Sequence, residues 1–181
     1  SLSFTQAATV PVSAITALQA VTDLARVSPG QRVLVTGASG GVGSFAVQIA
    51  VAAGAEVTGV CSAAKADLVR SLGATHVLDY RADDFAAGPH RYDVIIDIAG
   101  NTSISRLRRA LTPTGTAVLV GGEGAGRVTG MSRQLRGLVV SLFTRQRLTL
   151  RVPKERAADL ERLHALIDSG HDDYMLETAM L

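Results

Sequence analysis

The 181-residue chain carries a single cysteine, Cys61, no tryptophan, and few aromatic residues of any kind, 4% in all. A lone cysteine excludes an intrachain disulfide and any zinc site built from cysteines of this chain. It suits a reducing compartment, and a cytoplasmic setting is expected on that ground. No apolar run is long enough to span a bilayer, so no membrane partner is expected, and Ser1-Leu2-Ser3-Phe4-Thr5-Gln6 lacks the basic start of a signal peptide. The four histidines, His76, His90, His164 and His171, are scattered. They form no paired base and nucleophile and have no metal-ligand spacing, so no catalytic residue and no metal ligand is assigned.

Net charge is low as well, at +2, too small to imply a nucleic-acid partner. It is unevenly spread, because residues 101–156 hold eleven Arg or Lys against Glu123 and Glu155. With aromatics for base stacking scarce, this stretch is expected to be a solvated helix face and loop beside an anionic cofactor.

Apolar residues are plentiful, at 47%, enough for one compact domain with a sizeable core. The chain is organised around Val33-Leu34-Val35-Thr36, a short aliphatic strand, followed by the glycine cluster Gly37 to Gly43 and the helix-period segment Val42 to Ala53. Glycines are required at such a turn because the chain reverses tightly and its backbone must approach a pyrophosphate with no Cβ between. The N–H groups opening the helix then face the anion. A second strand, Glu56 to Cys61, completes the context of a dinucleotide fingerprint, with Ala38, Ser39, Gly40, Gly41, Val42 and Gly43 as its phosphate-binding residues.

The remaining elements follow the same alternation. A helix over Val12 to Arg26, with Ile15, Leu18, Val21 and Leu24 at three- and four-residue spacing, precedes the first strand. Lys65 to Leu72 and Ser103 to Leu111 read as helices, and His76 to Leu78, Asp93 to Ile98 and Thr116 to Val120 as strands. After a glycine-rich loop from Gly121 to Gly130, Met131 to Phe143 reads as a helix, Leu148 to Val152 as a sixth strand, and Pro153 opens a last helix. Strands alternating with helices predict an α/β fold, a Rossmann doubly wound six-stranded parallel sheet of order 3-2-1-4-5-6 with helices on both faces. The core runs over residues 31–169.

The end of the second strand sets the expected cofactor. An NAD site places Asp or Glu there for the ribose 2′-hydroxyl, whereas this chain has Cys61-Ser62 with Lys65 just beyond. A hydroxyl and an ammonium suit a 2′-phosphate that a carboxylate would repel, so NADP(H) is the expected cofactor. The glycine pattern also fits the short-chain dehydrogenases, but those carry Tyr-x-x-x-Lys. The residues four beyond Tyr80, Tyr92 and Tyr174 are Asp84, Ile96 and Thr178.

The chain resembles the cofactor domain of the medium-chain dehydrogenase/reductase superfamily, in its zinc-independent quinone oxidoreductase branch. The carriers are Thr16-Ala17-Leu18, Ala-x-Gly-Gly-Val-Gly at Ala38 to Gly43, Ser62 with Lys65, Leu72-Gly73-Ala74 with Asp79-Tyr80, Tyr92 to Asp97, and Gly115 to Gly121. The resemblance implies that Lys65 and Tyr80 bind the 2′-phosphate with Ser62. It implies further that Ala99, Gly100, Asn101, Val120 and Gly121 line the ribose and nicotinamide, and that Thr16 belongs to the cofactor site. It implies a second, catalytic domain outside this chain, so that the chain is a cofactor domain cut from a longer protein and has little turnover alone. The implied activity is NADPH-dependent reduction of a quinone, enone or enoyl thioester, and the implied partner is a second copy joined through the sixth strand. A non-catalytic NADP(H)-binding sensor or scaffold is the alternative.

Overall fold

The computed structural model describes residues 10–120, 145–150, 159 and 161–163. The leading helix, α1, spans residues 10–25. It begins and ends in wider, π-helical turns, Val10–Ala14 and Gln19–Ala25, around an α-helical Ile15–Leu18. Ile15, Leu18 and Val21 are buried, as their spacing predicts. The helix ends where Arg26 takes a left-handed conformation, φ 55°, uncommon for a side chain with a Cβ.

Six strands follow: β1 (Arg32–Thr36), β2 (Glu56–Cys61), β3 (His76–Asp79), β4 (Tyr92–Asp97), β5 (Leu111–Leu119) and β6 (Arg147–Leu150). They form one sheet of order β3-β2-β1-β4-β5-β6, in which every pairing is parallel. This is the predicted Rossmann arrangement, with crossovers α2 (Gly41–Ala52), α3 (Ala66–Ser71) and α4 (Ile104–Ala110). Parallel strands covered on both faces must be apolar along their length, and Val33, Leu34, Val35, Val94, Ile95 and Ile96 are all buried.

The two faces carry separate cores. One packs α1, α2 and α3 on the sheet through Leu18, Val21, Phe45, Val47, Val69 and Leu72. The other packs α4, through Leu107 and Ala110, with Phe85 and Ala86 from the β3–β4 connection. Leu163 completes the first core, and Asp159 beside it accepts a hydrogen bond from Gln19 Nε2 at 2.6 Å. Arg162 bridges to Asp23 at 3.0 Å. The expected last helix is therefore held against α1 at its described residues.

Three expectations change. Residues Lys65 to Leu72 are not one helix, because a single 3₁₀ turn, Ala63–Lys65, precedes a six-residue α3. Its first turn carries Asp67, the charge that suits a helix N-terminus, and Lys65 lies just before it. Strand β5 starts at Leu111 rather than Thr116: Tyr92 pairs with Leu111 and Val94 with Thr116, so residues 112–115 bulge from the ladder. Gly115 is required there, since a Cβ would lie 2.9 Å from Leu111 Cδ2 and 3.0 Å from the Tyr92 carbonyl oxygen. The leading helix begins at Val10, two residues before its predicted start. Gly121, the 121–130 loop, the 131–143 helix, Pro153 and the end of the sixth strand at 151–152 lie outside the described residues.

Candidate functional site

The carboxyl ends of β1, β2 and β4 open into a cavity of about 470 Å³, within the ~300–1,000 Å³ usual for small-molecule sites. Its floor is the β1–α2 turn. Gly37 has φ +69°, and a Cβ there would lie 3.3 Å from the Ala99 backbone nitrogen. Gly43 is tighter still, with a Cβ falling 2.0 Å from the Gly37 carbonyl oxygen and 2.8 Å from Ala38 Cα. No side chain fits at that point, so the first turn of α2 presses directly on the loop. Gly40 N–H donates to Gly37 O at 3.0 Å and Ser44 N–H to Gly40 O at 2.8 Å, which closes the turn and starts the helix. Gly40 and Gly41 remain exposed at the helix N-terminus, where backbone N–H groups and the helix dipole favour an anion.

The β2 end forms the opposite wall. Ser62 is extended at the start of the 3₁₀ turn, and its carbonyl accepts from Lys65 N–H at 2.9 Å. Its hydroxyl makes no capping bond. Lys65 is exposed and forms no ion pair with any described residue. Tyr80, 56% exposed at the end of β3, has the Arg81 guanidinium 5.4 Å from its ring centre. The cavity holds one described carboxylate, Asp83, and that carboxylate accepts the Asp79 N–H at 2.7 Å. Burial and the nearby Asp79 push the Cys61 thiol above its ordinary value, so this wall presents a neutral thiol rather than a thiolate.

The β4 end completes the site. Ala99 and Asn101 line the cavity, and Gly100 between them has φ 71°. Val120 does not line the cavity; its N–H donates to Asp97 O at 3.0 Å, which holds it at the end of β4. The structure thus brings Ser39, Ser62, Lys65, Tyr80, Ala99 and Asn101 together on one cavity. Ala38 is fully buried behind the loop and holds it to β2 by donating to the Val60 carbonyl at 3.0 Å. Thr16 does not line the cavity. It is buried in α1, its hydroxyl bonded to the Val12 carbonyl. The part of α1 that reaches the glycine loop is Ser13, whose Oγ would lie 3.2 Å from a Cβ on Gly41.

Sequence reasoning missed Thr36, Phe85, Thr102 and Arg106, which also line the cavity. Arg106 follows an N-cap that the sequence does show, Ser103, whose Oγ accepts the Arg106 N–H at 3.3 Å. Nothing in the pattern ties Arg106 to Phe85, twenty-one residues earlier.

A glycine turn too tight for a Cβ, an exposed helix N-terminus and, on the same cavity, a lysine with no ion-pair partner among the described residues define a dinucleotide-binding domain of the Rossmann type. The chain belongs to the zinc-binding dehydrogenase family, whose model matches residues 41–169, and forms the cofactor-binding half of a medium-chain dehydrogenase/reductase. It is 33% identical to a zinc-type alcohol dehydrogenase-like protein of Schizosaccharomyces pombe, over 94% of this chain and 53% of that protein. It is 43% identical to a mitochondrial NAD(P)H oxidoreductase of Bos taurus, over 57% of this chain and 28% of that protein. The solved structure of the quinone oxidoreductase from Coxiella burnetii superposes with a TM-score of 0.79 at 27% identity, over 99% of this chain and 56% of that one. The chain therefore spans about half the length, or less, of these relatives. Among the described residues no three His, Cys, Asp or Glu side chains are grouped to hold a metal ion, and no helix is long and apolar enough to cross a membrane.

Proposed function

We propose that this chain is the NADPH-binding half of a zinc-independent, cytoplasmic oxidoreductase that reduces a quinone, an enone or an enoyl thioester, and that it pairs with a second copy through β6. The observation that carries the cofactor assignment is Lys65, a cation with no described ion-pair partner, on the wall where an NAD site has a carboxylate. Each charge-assisted hydrogen bond from such a group to a phosphate is worth about 1.5–3 kcal/mol.

In this reading the backbone from Ser39 to Gly43 holds the pyrophosphate at the start of α2. Ser62, Lys65 and Tyr80 hold the 2′-phosphate. Ala99, Gly100, Asn101 and Val120, with Gly121, flank the ribose and nicotinamide. The bound cofactor supplies the hydride, and the chain's contribution is to fix the ring and exclude water around it. The substrate would meet the nicotinamide against a partner domain, as expected for a chain that covers about half of its relatives.

Hydride transfer from NADPH deuterated at C4 tests the activity. In the full-length protein, deuterium is expected on the β-carbon of the reduced enone or enoyl thioester. With a quinone, whose transferred label exchanges with water from the quinol hydroxyl, a primary isotope effect on NADPH oxidation is expected instead. At least one of the three should show transfer. No transfer to any of the three would contradict the assignment. The 181-residue chain alone is expected to bind NADPH with little turnover.

A further inference from the structure

The cofactor cavity contains a second cation, Arg106, whose setting differs from that of Lys65. Its guanidinium lies over the Phe85 ring, 4.5 Å from the centroid. Its edge is held by Asp84, with Nε at 3.0 Å and Nη2 at 2.9 Å from Oδ1. Asp84 is itself fixed, because Oδ1 also accepts the Ala86 N–H at 3.0 Å. That backbone bond first, and then Arg106, draws the Asp84 carboxyl below its ordinary value, so the partner of Arg106 stays ionised. The guanidinium thus lies over a ring with its charge offset by a carboxylate, and Arg106 and Phe85 both line the cavity.

A cation already paired and stacked has little left to offer a phosphate, but a flat, weakly hydrated guanidinium makes a good platform for a planar ring. Asn101 and Thr102 line the same cavity as this platform, as do Ser62 and Lys65 from the β2 end. We propose that Arg106, held by Asp84 on Phe85, is the residue on which the adenine base of the cofactor stacks. It would recognise the π-face of the base and contribute equally to any cofactor that carries adenine. Lys65, by contrast, would contribute only where the 2′-phosphate is present. This assignment rests on the dinucleotide reading above.

The test is calorimetric titration of the chain, and of its Arg106→Gln, Asp84→Asn and Lys65→Ala variants, with NADPH and NADH, each variant's fold being checked by circular dichroism. Base stacking on a side chain typically changes affinity by roughly tenfold. Arg106→Gln is expected to weaken NADPH and NADH by the same factor of about ten, and Asp84→Asn to weaken both by a smaller common factor. Lys65→Ala is expected to weaken NADPH alone. A loss in Arg106→Gln confined to NADPH would make Arg106 a phosphate ligand and overturn the proposal, and so would unchanged affinity for both. Should Arg106→Gln fail to fold, Asp84→Asn decides alone, by whether its loss is shared between the two nucleotides. If the unmodified chain bound neither nucleotide, the dinucleotide reading itself would fall, a result separate from any variant's.

Discussion

The hydroxyl of Thr36, the last residue of β1, donates to Asp97 Oδ1, the last residue of β4, at 2.8 Å across the paired strands. Both side chains are buried, Asp97 completely. The same hydroxyl oxygen accepts the N–H groups of Ile98 at 3.1 Å and Ala99 at 3.3 Å, so one side chain sets the course of the loop that leaves β4 for the cavity. Replacing Thr36 with valine keeps the volume and removes the donor and acceptor together. The cost expected is about 1–3 kcal/mol in urea unfolding, with weaker nucleotide binding, and Thr36→Ser should recover most of both.

The glycine loop makes a sharper prediction, because two of its glycines differ in what a Cβ would meet. At Gly43 it would fall 2.0 Å from a backbone oxygen, and at Gly40 3.4 Å from the same atom. Gly43→Ala should therefore cost about 1–3 kcal/mol or more, since the clash is with backbone that cannot move aside. Gly40→Ala should stay within about 0.5 kcal/mol by the same unfolding measurement. Equal costs would mean that the contact of α2 with the loop is not the constraint described here.

The Cys61 thiol is held above its ordinary value of 9.0, by burial first and by Asp79 second. A raised folded value favours the protonated form. Its contribution to stability is complete below pH 9 and is lost as pH rises through the folded value. Alkylation by iodoacetamide at pH 8 is expected to run at least tenfold slower than for the urea-unfolded chain, and slower again with NADPH bound, since Cys61 lines the cavity. Rates equal to those of the unfolded chain would show that this wall is open.

How far the sequence could be read is best seen element by element. The sheet order followed from aliphatic runs and the glycine turn, because parallel strands buried on both faces leave an unmistakable pattern at Val33 to Thr36 and Val94 to Ile96. Ser62 and Lys65 could be picked out as cavity residues because they follow β2, whose place in the order was known, whereas Tyr80 was picked out by the family resemblance. All three line the cavity. The bulge at 112–115 was not legible, since it arises from a pairing between β4 and β5 that local propensity does not encode. Nor was the π-helical character of α1, whose periodicity over a few residues matches an α-helix. Arg106 and Phe85 escaped because their contact is made by the β3–β4 connection folding back under α4, a tertiary event with no local signature.

Strand β6 stands last in the sheet order, next to β5. An edge strand presents a row of backbone donors and acceptors that a second copy can pair with around a two-fold axis. The chain is therefore expected to run as a dimer in light scattering at micromolar concentration. Of Thr149→Pro and Leu150→Pro, the one that removes a donor on the outer edge should shift it to monomer. A monomeric unmodified chain would rule out the pairing.

The central claim is that Lys65, with Ser62 and Tyr80, receives a 2′-phosphate. The most direct measurement is the ratio of NADPH to NADH dissociation constants for the unmodified chain and for Lys65→Ala. A single charge-assisted contact corresponds to about tenfold in affinity. NADPH should bind at least tenfold tighter than NADH, and Lys65→Ala should bring the two within about threefold by weakening NADPH while leaving NADH unchanged. Equal affinities in the unmodified chain, or a preference for NADH, would contradict the account.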